Sequence, residues 1–264
     1  MTTRKMQTTL LNSAFVTALA FAGSASASLF DGGLPAGWDC VGTCGATGAD
    51  GDVTAPPTGS SQYGYVVTTS DGPTGIGLDG LIGTSGSTLQ SNLFSAEDGD
   101  ELNFVFNYIS SDGAGYADYA WARLLNEMNE EVAILFTART TNDGSIVPGF
   151  GMPDPSATLN PDSVVMNPGA PNWSPLGDDS GSCFASGCGY TGWVESSYNI
   201  LSAGNYFLEF GVVNWNDTQF QSGLAFDGIT VGGNPIDSNP VPVPATLGLL
   251  GLGLLGLRLS RRQK

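Results

Sequence analysis

Four cysteines stand in two tight pairs, Cys40 with Cys44 and Cys183 with Cys188. Thiols at such spacing either close small disulfide loops in an oxidising compartment or ligate a metal such as zinc. Four cysteines allow three pairings, which spacing leaves open. The separations are loose for a zinc site, so local disulfides are expected, with Trp38 and Trp193 packed near the two loops. The segment Asp112-Gly-Ala-Gly-Tyr-Ala-Asp118 sets two carboxylates in a glycine-rich loop. That donor set suits a hard cation such as Ca²⁺, with backbone carbonyls completing the shell. It lacks the ligand spacing of an EF-hand, and an Asx-type turn is the preferred reading of the same residues. Asp227, flanked by Phe226 and Ile229, is a carboxylate that burial would oblige to find hydrogen bonds or a cation. A structural calcium ion at Asp112, Asp118 or Asp227 is therefore the one cofactor the sequence leaves room for. Asp98, Asp100, Asp178 and Asp179 read as solvated turns.

A second group of side chains could meet a sugar. Tyr116, Tyr119, Trp121, Trp173, Trp193, Trp215 and Phe220 offer rings to stack on pyranose faces, with Asn and Asp nearby for hydroxyls. Aromatics at alternating strand positions are more often core, and core is the first expectation for these. Catalysis is narrowly bounded. The chain has no histidine, which removes Ser-His and Cys-His nucleophile pairs, His-containing metal sites and the commonest general base. What survives is a glycosidase built on two facing carboxylates. No pair among the 25 acids stands out, so no catalytic residue is assigned and the chain is expected not to be an enzyme.

The elements that must position these groups are short strands. From Asp31 to Gly233 the chain shows β-type runs broken by Gly, Asp, Asn, Ser and Pro, with no long stretch of helical periodicity. In Glu101 to Ser110 the residues Leu102, Phe104, Phe106 and Tyr108 alternate with Asn103, Val105 and Asn107, which makes one face core. Further strands are expected at Gln62 to Thr69, Thr88 to Phe94, Tyr119 to Leu125, Val132 to Thr140, Trp193 to Ile200, Asn205 to Trp215 and Gly223 to Val231. Asn126 to Glu131 reads as a charged hairpin turn. About eight such strands predict an all-β fold, a two-sheet jelly-roll-like β-sandwich. Residues 143–190 lose periodicity and carry seven prolines, a long irregular excursion of the functional or disordered kind. Gly45 to Ser61 is a smaller case.

Charge divides the chain into three parts. Of the 8 basic residues, Arg4 and Lys5 open the chain and Arg258, Arg261, Arg262 and Lys264 close it, leaving Arg123 and Arg139 against 25 acids in the centre. So acidic a surface repels phosphate backbones and anionic lipid, which excludes nucleic acid and leaves divalent cations and neutral glycans as partners. Residues 1–27 form a secretory signal: basic start, apolar run, and Ala25-Ser26-Ala27 as a small-residue cleavage site, with cleavage expected after Ala27. The ectodomain is expected over 28–235 and a proline-rich linker over 236–244. A short Leu/Gly membrane segment, expected as a single helix, follows over 245–259 and a basic cytoplasmic tail over 260–264. The membrane run falls short of the ~20 residues a spanning helix needs, and each of its glycines costs about 1 kcal/mol of helix propensity. It makes a poor permanent anchor.

The same tail resembles a PEP-CTERM sorting domain: a proline motif running into Ala245-Thr246, an apolar run and a basic terminus. Here Pro242-Val243-Pro244 stands where that motif has Pro-Glu-Pro, and Arg258, Arg261 and Arg262 form the basic cluster. The resemblance implies recognition by an exosortase, a membrane-embedded cysteine transpeptidase, removal of the tail near Pro242 to Pro244, and a Gram-negative host that makes exopolysaccharide. The opening Leu34-Pro-Ala-Gly-Trp-Asp-Cys40, the central Ser111 to Trp121 and the closing Gly223 to Val231 resemble a group of PEP-CTERM exported proteins of unassigned activity. The closing strand also resembles the last strand of galactose-binding-like and lectin-like jelly rolls. The expectation is an exported, non-enzymatic protein, membrane-held and then at the cell surface or in the matrix, associated with exopolysaccharide or biofilm. A carbohydrate-binding module is the alternative, and a carboxylate-dependent glycoside hydrolase a more distant one.

Overall fold

The structure, a computed structural model, describes residues 28–237. The signal-peptide reading with Ala25 and Ala27, the sorting residues Pro242 to Arg262 and the membrane segment lie outside the described residues. Among the described residues, no helix is long and apolar enough to cross a membrane.

Eight principal strands build two facing antiparallel sheets: β1 Tyr63–Val67, β2 Ser85–Gln90, β3 Glu101–Ser110, β4 Tyr119–Asn126, β5 Glu131–Arg139, β6 Val194–Asn199, β7 Gly204–Asn214 and β8 Ser222–Val231. One sheet runs β2-β7-β4-β5 and is extended at its β2 edge by Asp39–Val41. The other runs β6-β3-β8-β1, with Thr158–Asn160 beyond β6 and Thr43–Thr47 beyond β1. β4 and β5 form a hairpin whose turn is organised by Asn126. Its Oδ1 accepts from Met128 N and Glu130 N, and Asn129 takes positive φ.

The alternation read from β3 is the core pattern. Leu102, Phe104, Phe106 and Tyr108 are all buried between the sheets. There, Phe106 stacks on Phe136 at 3.7 Å and Phe210 on Phe226 at 3.8 Å, centroid to centroid. Phe104 meets Phe210 edge-on.

The outer faces are partly covered too, and this is what the long irregular segment does. Trp173 and Leu176, with Val53 from the Gly45 to Ser61 stretch, pack over Tyr63, Val67, Ile109 and Ala225 on the outside of the β3-containing sheet. Trp173 Nε1 donates to Tyr63 Oη at 2.9 Å. The two excursions are laced together by Asp52 N to Asn172 O, Asn172 N to Asp52 Oδ2 and Ser174 N to Asp50 Oδ2. The acidic, glycine-rich stretch is therefore structured. Its aspartates spend their charge on backbone N–H groups that have no strand partner.

Two expected elements differ. The run Thr88 to Phe94 splits into β2 and a separate Phe94–Ala96 strand, both paired to β7. The break falls where Ser91 Oγ accepts from Leu208 N, a side chain standing in for a ladder carbonyl. The packed chain also continues past 235: Ile236 is buried in the core and Asp237 accepts from Trp38 Nε1.

Candidate functional site

The structure gathers two of the singled-out aspartates at one end of the sandwich, where β3 and β7 finish and β4 and β8 begin. Asp118, just before β4, is fully buried. Its Oδ1 accepts from Trp215 N at 2.8 Å and its Oδ2 from Ser222 Oγ at 2.6 Å. Ser222 Oγ also lies 2.8 Å from Ser110 Oγ, and Ser110 Oγ accepts from Asp112 N. The loop Asp112 to Asp118 is thus a hydrogen-bonded turn, with Ala117 at positive φ. Both oxygens of Asp118 are committed to protein donors. Neither aspartate closes an Asx turn: Asp112 Oδ1 accepts from the adjacent Gly113 N, and Asp118 accepts from residues remote in sequence. Among the described residues no three His, Cys, Asp or Glu side chains converge as a metal group.

Burial sets the electrostatics. It pushes the carboxyl of Asp118 well above its usual range, a shift that Asp112 and Asp217 reinforce and the Ser222 hydrogen bond opposes. Asp112, 1% exposed, is pushed up to about 7, again first by burial and then by Asp217 and Asp179. Its Oδ1 accepts from Gly113 N, while Oδ2 is buried without a partner. Asp179, read as solvated, accepts from Gln221 N at 3.0 Å and so holds the entry of β8.

Above this network lies a short aromatic ledge. Phe184, half exposed in the loop closed by Cys183 and Cys188, meets Tyr116 at 5.4 Å and Phe220 at 4.9 Å. Trp215 lies on the same end under the Arg139 guanidinium, 4.9 Å from the ring centroid. Of the other aromatics weighed as sugar-stacking rings, Tyr119, Trp121 and Trp173 are core, each below 2% exposure. Trp193 is edge-on to Tyr63 and donates to Thr54 O. Phe184 had no signal in the sequence beyond its place between two cysteines.

Asp227 sits apart, on β8 where a bulge at Gly228 and Ile229 shifts the register against β3. Thr58 Oγ1 donates to its Oδ2; Oδ1 is buried without a partner. Asp31, not singled out from sequence, lines the same cleft. Both cysteine pairs are disulfide-bonded locally, Cys40 to Cys44 and Cys183 to Cys188. The Cys183 to Cys188 loop borders an open cleft of about 460 Å³ in which Asp143 is the single carboxylate.

Residues 240–263 match the PEP-CTERM protein-sorting motif. The chain therefore carries a C-terminal sorting signal of exported proteins, of the kind processed by exosortase-type enzymes. No curated protein matches the chain. Among solved structures it is similar to the K1 cleaved adhesin domain of Lys-gingipain from Porphyromonas gingivalis W83. Identity is 15% over 77% of this chain and 95% of that one, with a TM-score of 0.40. The K3 cleaved adhesin domain of the same protein gives 14% identity over 76% and 94%, with a TM-score of 0.35. The enzymatically active domain of bacteriophage CBA120 tailspike protein 4 gives 12% over 75% of this chain and 19% of that one, with a TM-score of 0.33. Scores of this size leave the reading of the ectodomain to its own residues.

Proposed function

We propose that this chain is a non-enzymatic surface or matrix protein of a bacterium, an acidic β-sandwich exported by its signal peptide and sorted through its tail. The sorting motif at 240–263 carries the reading. In this account the segment 245–259 holds the chain in the membrane briefly, the basic residues Arg258, Arg261 and Arg262 stop transfer, and an exosortase-type enzyme cuts near Pro242 to Pro244. The strand orders β2-β7-β4-β5 and β6-β3-β8-β1 are those of a jelly roll, which supports the finer fold assignment. A non-enzymatic role is supported by the lack of histidine and by Asp118 and Asp179 serving as backbone clasps. The sorting motif supports the further proposal that the chain associates with exopolysaccharide. Fractionation tests it: the wild-type protein is expected at the surface or in the medium. Replacing Arg258, Arg261 and Arg262 by Gln is expected to let it slip past the membrane unprocessed. Recovery of that variant with normal processing would count against the role given to the basic cluster.

The ledge of Tyr116, Phe184 and Phe220 favours a second reading, a glycan-binding module. Phe184 is half exposed with Tyr116 and Phe220 partly buried against it, and a ring so presented beside polar loops can stack on a sugar.

A further inference from the structure

The cleft that holds Asp227 has a volume of about 340 Å³ and lies between the Ser28 to Asp31 segment, the Thr58 to Ser60 turn and β8. Two of its lining residues, Asp227 and Ser28, each carry a buried side-chain oxygen with no hydrogen-bond partner, Oδ1 and Oγ respectively. Asp227 is 1% exposed, and a carboxylate oxygen in that position costs stability unless a donor or cation meets it.

The geometry around the two acids looks prepared. Asp31 Oδ1 accepts from Ser61 N, Ser61 Oγ and Gln62 N, at 3.0, 2.8 and 3.0 Å. Those bonds fix the carboxylate and leave Oδ2 unused. Asp227 Oδ2 is likewise held by Thr58 Oγ1, leaving Oδ1 without a protein partner. Phe30 packs edge-on against Phe226 at 5.6 Å, so the neighbours of the two acids anchor both backbones from the core side. The bulge at Gly228, whose φ is +69, is the device that re-aims a strand residue at a site.

No basic side chain of the described domain can answer this charge. Arg123 is engaged by Glu209 and Glu131, and Arg139 by Trp215 and the Ala117 and Phe150 carbonyls. All available donors are oxygens, carboxylate or hydroxyl, with no thiol or imidazole, a set that suits Ca²⁺ rather than zinc.

We propose that this cleft binds a divalent cation of the Ca²⁺ class through Asp31 and Asp227, with Ser28 Oγ and water completing the shell, and that the ion clamps the amino-terminal segment onto β8. The clamp joins three stretches that are remote in sequence, and it closes in the calcium-rich exterior that an exported chain enters. The choice of ion rests on the proposed export, whereas the site itself concerns only residues of the ectodomain.

The test uses the mature protein as exported, stripped with EDTA and titrated with Ca²⁺ by calorimetry at neutral pH. One ion per chain is expected, with a Kd on the order of 10⁻⁴–10⁻³ M, the range of extracellular calcium modules, and with a melting temperature that rises with saturation. Asp227→Asn is expected to abolish binding and Asp31→Asn to weaken it at least ~10-fold. Asp112→Asn, which removes the other buried aspartate with a partnerless oxygen, is expected to leave binding intact. Should Asp227→Asn fail to fold, Asp31→Asn carries the test, because that side chain is exposed and Asn keeps the Oδ1 acceptor. No heat and no shift in melting would overturn the proposal and point to the α-ammonium that cleavage after Ala27 would leave at Ser28. Binding that survives both Asp31→Asn and Asp227→Asn would overturn it equally.

Discussion

Asp118 and Ser222 are joined by a 2.6 Å hydrogen bond that ties the entry of β4, in one sheet, to the entry of β8, in the other. With Trp215 N on Asp118 Oδ1 and Ser110 on Ser222, one buried carboxyl links the ends of four strands. The two sheets are clasped at this end by a buried polar contact.

That contact predicts a graded response to substitution. Asp118→Ala leaves the Trp215 N–H without its acceptor, at a cost of about 1–3 kcal/mol for a group left unpaired, and takes from the Ser222 hydroxyl one of its two partners. Asp118→Asn, which can accept from Trp215 N and pair with Ser222, is expected to recover most of the loss. Urea unfolding of the two variants checks this; equal destabilisation would show that packing, not the hydrogen bonds, matters.

The pH response follows from the buried aspartates. The folded state holds a proton on Asp112 up to about pH 7, whereas the unfolded chain releases it near 3.8. The native state therefore binds more protons in that window. The stability Asp112 contributes is complete below the lower value and is lost as pH rises through the upper one. Relative to Asp112→Asn, the wild type is expected to lose stability steadily from about pH 4 to about pH 7 and then level off. Parallel stability curves for the two proteins would contradict the burial argument.

Core packing gives a larger effect. Phe210 stacks on Phe226 and meets Phe104 edge-on between the sheets. Phe210→Ala is expected to cost about 3–5 kcal/mol, measured by denaturant unfolding. A loss below about 1 kcal/mol would mean that the sheets close over the gap.

The small loop closed by Cys40 and Cys44 makes a modest demand. Five or so residues in the closed loop correspond to about 2 kcal/mol on the chain-entropy account. A Cys40→Ser, Cys44→Ser double variant should fold and melt lower by that amount, whereas failure to fold would show that the loop organises Asp39–Val41 as an edge strand.

For the glycan reading, Phe184→Ala is the informative variant, since the ring is half exposed and its loss spares the core. A glycan array on the wild type should give a hit that this substitution removes. An array without hits, with or without Ca²⁺, would end that reading.

Much of the fold was legible because the strands obey the period of two. The β3 range was read to the residue from its Leu102, Phe104, Phe106, Tyr108 alternation, and β7 and β8 to within one residue. What periodicity could not show is the second use of the strands' outer faces. Ile109 and Ala225 point away from the main core and are covered by Trp173 and Leu176 from a segment with no repeat of its own. The site was less legible for a similar reason. Asp227 could be marked because it interrupts an apolar strand, but Asp31 looks like any turn aspartate. Only the long-range packing of the first residues of the domain against β8 brings the two to one cleft.

The account rests on the tail, and intact-mass spectrometry of the mature protein from its host tests it most directly. The expected mass begins at Ser28 and lacks the residues beyond Pro244. A membrane-bound protein that retains Ala245 to Lys264 would contradict sorting by cleavage and leave a plain single-span anchor.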